Sequence, residues 1–190
     1  MDLNYDDALA LLKAHNKNDS LVKHGIAVGA ATAAYAQKYG EDKNKWRVTG
    51  LLHDVDYEEH PTIEEHGKVG AEWLRDLGYP EDVVYAVHAH NDSFGLPRND
   101  LMSRVVFACD ELTGLITATA LVRPNKSILG LEASSVRKKM KDKAFARGVN
   151  REDIVQGAAE LGVDLNEHIA FVIAAMEGQA DALGLRGTPA

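Results

Sequence analysis

The chain has 190 residues, of which 45 % are hydrophobic and 26 % charged, and its formal net charge is −8. This length is most simply a single domain with one sizeable core, and the composition excludes disordered, collagen-like and repeat proteins. The negative charge argues against binding to duplex nucleic acid, because such binding needs a cationic surface.

The sequence also argues against a membrane or secreted protein. No apolar run approaches the ~20 residues that a spanning helix needs, and the N-terminal segment is acidic where a secretory signal would be basic. The single cysteine, Cys109, excludes an intrachain disulfide framework and agrees with a reducing compartment. We therefore expect a cytoplasmic protein that does not bind membranes.

Helix signals run through the whole chain, and no run of alternating β-branched residues indicates a sheet. The predicted fold class is therefore all-α. Capping residues, glycines and prolines predict nine helices. Seven of them are expected at about 3–14, 43–54, 63–78, 80–91, 134–146, 150–161 and 166–183. Another is capped within 18–20 and runs to about 39. The ninth is capped at 99 or 100 and runs through 112 and on to 122. The fourth is expected to start at Ile63 because Thr62 and Glu65 match a T-x-x-E capping box, and residues 184–190 are expected to be frayed.

No linker or low-complexity segment divides the chain, so one domain covering 1–190 is predicted. The residues able to carry chemistry concentrate in the first 110 positions. We expect a metal-binding core at about 20–112 and a helical C-terminal flank at about 113–185. The flank could serve as a lid, as a substrate-binding element or as the contact of a homo-oligomer.

Helical geometry predicts which polar side chains point inward. His24 and His66 each lie on the apolar stripe of their predicted helix. His53 lies on the inward face of the third helix, and Asp54, about 100° further round, lies at the edge of that face. Asp110 occurs in an apolar run, where an unpaired carboxylate would be costly.

The fifth helix offers two histidines, His88 and His90, which are about 200° apart around the helix axis. Only one of them can face the centre. His90 shares its stripe with Val83 and Val87, whereas His88 lies on a neighbouring face. We therefore choose His90 as the inward residue and leave His88 as a supporting or surface residue.

A single inward histidine is more often a hydrogen-bonded core residue than a metal ligand. Here four histidines and two aspartates on five helices point inward, and one or two divalent ions would satisfy all six together. These residues are His24, His53, Asp54, His66, His90 and Asp110. Nitrogen and carboxylate ligands without a thiolate suit Mn, Fe, Co, Ni or Zn, with Mg not distinguished, and argue against a structural zinc site.

The ordered set of His24, the pair His53-Asp54 and then Asp110 resembles the HD-domain superfamily of metal-dependent phosphohydrolases. Members of this superfamily are all-helical and are named for the histidine-aspartate pair. The resemblance covers about 20–112 and implies an HD-domain-like helical bundle. It also implies that His53 and Asp54 are catalytic residues.

The H-G-x-x-G segment beginning at His66 and the A-V-H-A-H segment ending at His90 resemble the branch of the superfamily that binds two metals. The resemblance implies a first metal held by His24, His53, Asp54 and Asp110. It implies a second metal held by His66 and His90, with Asp54 as a bridge. The branch that hydrolyses cyclic dinucleotides often has a lysine three residues after the paired aspartate. This chain has Tyr57 there, which argues against cyclic dinucleotide specificity.

The implied activity is hydrolysis of a phosphate ester by metal-activated water. The substrate would be a small phosphorylated metabolite, with a nucleotide as the leading choice. Its phosphate oxygens need cations beyond the metals, and the candidates are Arg123, Lys126 and Lys139, which follow Asp110 in the chain.

Two other functions stay open on the sequence alone. One is a mixed-valent di-iron oxygenase of the same superfamily; such proteins tend to carry another histidine soon after the H-D pair, and here the next is His60, six residues after Asp54. The other is a ligand-sensing module without catalysis. Metal analysis separates the oxygenase from the hydrolase.

Overall fold

The computed structural model describes residues 3–187. Within this range the chain forms ten α-helices, one short 3₁₀ turn at Asp92–Phe94 and no β-strand. The all-α prediction is confirmed. The helices are α1 (Tyr5–His15), α2 (Asp19–Tyr39), α3 (Lys43–Leu52), α4 (Lys68–Asp76), α5 (Glu81–Ala89), α6 (Leu101–Leu121), α7 (Ala133–Met140), α8 (Arg151–Leu161), α9 (Leu165–Glu177) and α10 (Ala180–Leu183).

Six helices begin where the local sequence supplies a capping side chain. In each case an aspartate or asparagine oxygen accepts a hydrogen bond from a backbone N–H of the first turn. The capping residues are Asn4, Asn18, Asp42, Asp100, Asn150 and Asp164. These starts agree with the predicted ones to within two residues.

The predicted start of α4 is wrong. The helix begins at Lys68 instead of Ile63, and the Thr62 hydroxyl bonds the Glu65 carboxylate instead of the backbone. The N-terminus of α4 is capped from a distance, because the carboxylate of Asp56 accepts hydrogen bonds from the N–H groups of Gly67 and Gly70 at 2.8 and 2.6 Å.

Three other predicted segments differ in the structure. Helix α7 stops at Met140, since the Arg151 guanidinium binds four carbonyl groups of the following loop, between residues 142 and 149. The last predicted helix is divided into α9 and α10. Residues 184–187 are not frayed: Leu185 is buried and its carbonyl accepts the Ile128 N–H at 2.8 Å. Residues 188–190 lie outside the described residues.

Close approach of helices fixes the frame of the site. A Cβ atom at Gly25 would lie 2.6 Å from the Leu51 carbonyl oxygen, and one at Gly50 would lie 2.5 Å from the Thr32 hydroxyl. These glycines therefore let α2 and α3 pack backbone to backbone. The contact holds the end of α3, where the H-D pair begins, against the helix that carries His24.

Helix α6 runs without a break from 101 to 121 and so crosses the predicted boundary between core and flank at 112. Helix α8 packs on it closely, since a Cβ at Gly157 would lie 2.5 Å from the Cα of Ala108. The boundary itself stays a prediction. Among the described residues, none of the helices combines the length and apolar character needed to cross a bilayer.

Candidate metal centre

The six predicted ligands lie together at the meeting point of α2, α3, α5 and α6. They form two sets, within each of which one ligand atom per residue lies within 4.8 Å of all the others. The first set is His24, His53, Asp54 and Asp110, and the second is Asp54, His66 and His90. Asp54 belongs to both sets, which is the arrangement a bridging carboxylate requires.

The first set has its imidazole nitrogens turned to the carboxylates. The His24 Nε2 atom lies 2.9 Å from Asp110 Oδ1 and 3.4 Å from Asp54 Oδ2. The His53 Nε2 atom lies 3.2 Å from Asp54 Oδ1 and 3.3 Å from Asp110 Oδ1. Four potential ligand atoms thus converge on one small volume.

The second set shares one oxygen with the first. Asp54 Oδ1 lies 3.2 Å from His66 Nε2 and 3.4 Å from His90 Nε2. The same oxygen faces His53. One carboxylate therefore touches both histidine sets.

The opposite nitrogen of three rings is held by a hydrogen bond. His53 Nδ1 donates to the Gly50 carbonyl at 2.8 Å, and His90 Nδ1 donates to the Val87 carbonyl. His66 Nδ1 donates to Asp56 at 3.0 Å. Such bonds fix the tautomer and aim the Nε2 lone pair at the centre, as the outer partners of metal-bound histidines do.

The donor set fits a divalent cation. The Nε2 atoms of His66 and His90 face each other at 2.9 Å, and those of His24 and His53 at 3.2 Å. With Nδ1 donating, the neutral rings of His66 and His90 would place two lone pairs opposite each other. A cation between them removes that repulsion. The all-nitrogen-and-oxygen composition suits first-row metals or Mg²⁺.

The electrostatics also attract cations. Burial alone would lower the pKa of His53, but Asp54 and Asp110 outweigh it and raise this pKa to about 9. Burial opposes the shift of His66 as well, and its bonds to Asp54 and Asp56 raise the pKa to about 10. Against the effect of burial, the surrounding imidazoles hold the pKa of Asp54 well below its usual range. The carboxylates therefore stay ionised and stabilise positive charge at the histidines.

His88 lies outside both sets. Its ring contacts Phe94 edge to face with centroids 4.8 Å apart, and its Nε2 atom has no hydrogen-bond partner among the described residues. The geometry thus brings His90, not His88, to the centre. That His90 binds a metal stays a prediction.

A cavity of about 420 Å³ opens above the two sets. Tyr57, Ile63 and Leu21 contribute to its wall, and Glu111 and Asp153 add two carboxylates on the side of α6 and α8. Burial raises the pKa of Glu111 to about 7, and Asp110 acts in the same direction. Glu111 also accepts the Asn150 N–H at 3.0 Å, which ties the cavity wall to the start of α8.

The three cations predicted to bind substrate do not line this cavity. Arg123 donates to the carbonyls of Ser127, Leu129 and Gly130 and so holds its own loop. Lys139 lies over the ring of Phe145, 4.5 Å from its centroid, and Lys126 lies on the exposed turn after α6. The structure therefore does not bring the predicted cations to the centre.

Sequence reasoning missed Asp56 and Glu111. Asp56 is completely buried and lies in the same polar segment as the H-D pair, so a carboxylate two residues after Asp54 was the available signal. Glu111 follows Asp110 directly. Its role in the wall depends on how α8 packs, which local patterns do not show.

Comparison with known proteins gives three kinds of match. Ribonuclease Y of Lawsonia intracellularis is 31 % identical over 96 residues, covering 50 % of this chain and 18 % of that protein. Ribonuclease Y of Lactobacillus gasseri is 30 % identical over 95 residues, covering 50 % and 17 %. The chain thus spans less than a fifth of the length of these two relatives.

An uncharacterized protein of Methanocaldococcus jannaschii is 34 % identical over 93 residues, covering 46 % of this chain and 54 % of that protein. Among solved structures, the HD domain of the L. monocytogenes phosphodiesterase PgpH superposes with a TM-score of 0.52. It has 14 % identity and covers 95 % of this chain and 100 % of that domain, so the likeness concerns the fold.

The sequence profile of the HD domain matches residues 21–115, which is half of the chain. The match begins at Leu21, shortly before His24, and ends at Leu115, after Asp110. It therefore encloses all six side chains of the two sets. The chain belongs to the HD domain family.

Proposed function

We propose that this protein is a metal-dependent phosphohydrolase that cleaves a phosphate ester of a small phosphorylated metabolite, with a nucleotide as the first candidate. The observation that carries the proposal is the sharing of Asp54 between two ligand sets beneath one cavity. Membership of the HD domain family supports phosphoester chemistry.

The residues of the two sets would hold one or two divalent ions. When bound, such ions would lower the pKa of a water to roughly 7 and neutralise charge that develops on the phosphate. The attacking oxygen would come from water, and no side-chain nucleophile would be needed.

The chain's own groups prepare this chemistry. The low pKa of Asp54 keeps its carboxylate ionised at neutral pH, and the Nδ1 bonds of His53, His66 and His90 keep their Nε2 atoms turned to the centre. The ionised carboxylates of Asp54 and Asp110, which line the cavity, repel a phosphate unless cations intervene. Substrate binding is therefore expected to require the metal.

A screen for phosphate release tests the proposal. Purified protein would be loaded in turn with Mn²⁺, Co²⁺, Ni²⁺, Zn²⁺, Fe²⁺ and Mg²⁺ and offered nucleotides, sugar phosphates and dinucleotides. Short oligoribonucleotides belong in the screen because two relatives are named ribonuclease Y. Asp54→Ala should abolish turnover, whereas Asp76→Ala, which alters an exposed carboxylate on α4, should not.

The oxygenase alternative gains no support from the structure. His60 belongs to neither ligand set; its Nδ1 atom lies 3.6 Å from Glu65, and its ring contacts Trp73 edge to face. Bound iron with oxygen-dependent absorbance and no phosphate release would nevertheless favour it. Metal binding without turnover of any substrate in the screen would favour the ligand-sensing module.

A further inference from the structure

The cavity above the two ligand sets is called the metal cavity below. A second cavity, of about 220 Å³, lies beside it between α2, α6 and the C-terminal segment. His24 and Gly114 line both cavities, so the two share a boundary. The other lining residues are Ser20, Lys23, Thr117, Leu121, Leu183 and Leu185. A group that leaves the metal centre along α6 would enter this space.

The face of α6 that leads there begins at a metal-ligand candidate. Asp110, Gly114, Thr117 and Leu121 are spaced by four, three and four residues, which places them on one side of the helix. Asp110 belongs to the first ligand set and the last two line only the second cavity. One helix face thus connects the two cavities.

Gly114 is not required by the packing of the fold. A Cβ atom there would meet only the Cγ2 atom of Val149, at an ordinary 3.6 Å, whereas a Cβ at Gly157 would lie 2.5 Å from Ala108. Glycine inside a helix is less stable than alanine, so its presence at 114 calls for another reason. Its position supplies one, because Gly114 lines both cavities and a side chain there would take up space where they adjoin.

The second cavity combines apolar walls with a few polar groups, as small-molecule sites do. Leu121, Leu183 and Leu185 form the apolar part. Thr117 has a hydroxyl with no side-chain hydrogen bond among the described residues, although Thr119 on the same helix donates to a main-chain carbonyl. The Lys23 ammonium pairs with Asp19 at 2.6 Å and has two further N–H groups to donate.

We propose that the second cavity binds the organic part of the substrate and that this part is a flat heteroaromatic ring such as a nucleobase. A ring of this kind offers apolar faces to the leucines and acceptor atoms to Thr117 and Lys23. The inference rests on the proposed phosphohydrolase function and adds to it the location and chemistry of substrate choice.

Part of this subsite lies outside the family match. Leu183 and Leu185 follow the matched range 21–115 by nearly seventy residues. The segment that carries them is fixed, since Ser127 Oγ donates to the Arg186 carbonyl at 2.7 Å. The C-terminal flank would therefore select the substrate while the HD core supplies the metal ligands.

The test compares a nucleoside 5′-monophosphate with ribose 5-phosphate, which has the same phosphate and sugar and no base. For the metal-loaded wild-type chain, kcat/KM should be at least tenfold higher for the nucleotide. Thr117→Phe, which fills the cavity, should remove most of this preference, and Thr117→Ala should reduce it two- to fivefold.

Gly114→Ala should lower nucleotide kcat/KM while keeping or raising the melting temperature. Val155→Phe, at an exposed site on α8, is the control. It should change neither the preference in kcat/KM for the nucleotide over ribose 5-phosphate nor the melting temperature.

Binding of the free nucleoside gives a readout independent of turnover. In saturation-transfer NMR with metal-free protein, wild type should show contacts to the base and Thr117→Phe should show none. Equal kcat/KM for the two substrates in wild type, or a Thr117→Phe protein of normal melting temperature that keeps the preference, would overturn the inference and leave the proposed function intact. If wild type with every metal releases phosphate from neither substrate nor any other in the screen, the proposed function fails and the inference fails with it.

Discussion

The HD core and the C-terminal flank use their charged side chains in opposite ways. In the core, His53, Asp54 and His90 are buried and point at one another. In the flank, Arg123 and Arg151 donate to carbonyl groups of the loops beside them. Buried imidazole nitrogens and carboxylates that converge on one small volume suit a bound cation, whereas guanidinium groups bonded to nearby main chain stabilise the fold. On this difference we propose that the converging polar residues of the core serve a ligand and that these two arginines serve the structure.

The largest effect is expected at His90, within the core. His90→Ala should lower phosphate release roughly a thousandfold, since a metal contributes several kcal/mol to such a reaction. It should also lower the number of divalent ions bound per chain, measured by elemental analysis. His88→Ala, two residues earlier at the end of α5 and outside both sets, should keep metal content and turnover. The reverse result for the two variants would remove His90 from the centre.

Asp56 sharpens the comparison because it is a buried core charge with internal partners. It accepts bonds from His66 and from two N–H groups at the start of α4. Asp56→Asn turns an amide toward these donors and should weaken metal binding about 10–100-fold, as loss of outer partners of metal ligands does. Titration calorimetry measures this affinity, with Asp76→Asn, which alters an exposed carboxylate on α4, as the control. Unchanged affinity in a destabilised variant would make Asp56 a helix cap alone.

Arg98 joins the two regions. Its side chain is 5 % exposed, contacts the ring of Phe107 and donates to Asp92 and to Glu160 of α8. Arg98→Ala should lower the free energy of unfolding by about 2 kcal/mol, because hydrogen bonds to charged groups are lost together with packing. Urea denaturation measures the loss.

The exposed pair of Arg75 and Glu81 provides the control for Arg98. Arg75→Ala should change stability by about 0.5 kcal/mol or less, as exposed ion pairs do. An equal loss in the two variants would show that Arg98 does not tie the flank to the core.

The smallest effect on activity is expected at Arg123 in the flank. Arg123→Ala should cost about 1 kcal/mol of stability, from the lost bonds to the carbonyls of residues 127–130. It should leave KM unchanged, because the guanidinium does not line the metal cavity. Steady-state kinetics beside thermal unfolding separates these outcomes. A rise of KM above fivefold would return Arg123 to substrate binding.

The sequence predicted features that depend on local pattern. Inward helix faces predicted that His24, His53 and Asp110 would converge, and capping side chains predicted most helix starts. His66 also joins the group, but it lies in the turn before α4 and not on the predicted helix face. The start of α4 could not be predicted locally, because its cap comes from Asp56 across the turn. The hydrogen bonds of Arg123 could not be predicted either, because a basic residue after α6 gives no local signal of which carbonyl groups its side chain will contact.

The continuity of α6 has a consequence for insertions. Asp110, Thr117 and Leu121 stay aligned only while the residues between them keep their number. One residue added after Asp110 would rotate everything downstream by about 100°. The amino-acid composition would hardly change, yet the candidate metal ligand Asp110 and the second cavity would no longer share a side of the helix. We expect natural variants in this segment to differ by substitution and not by length.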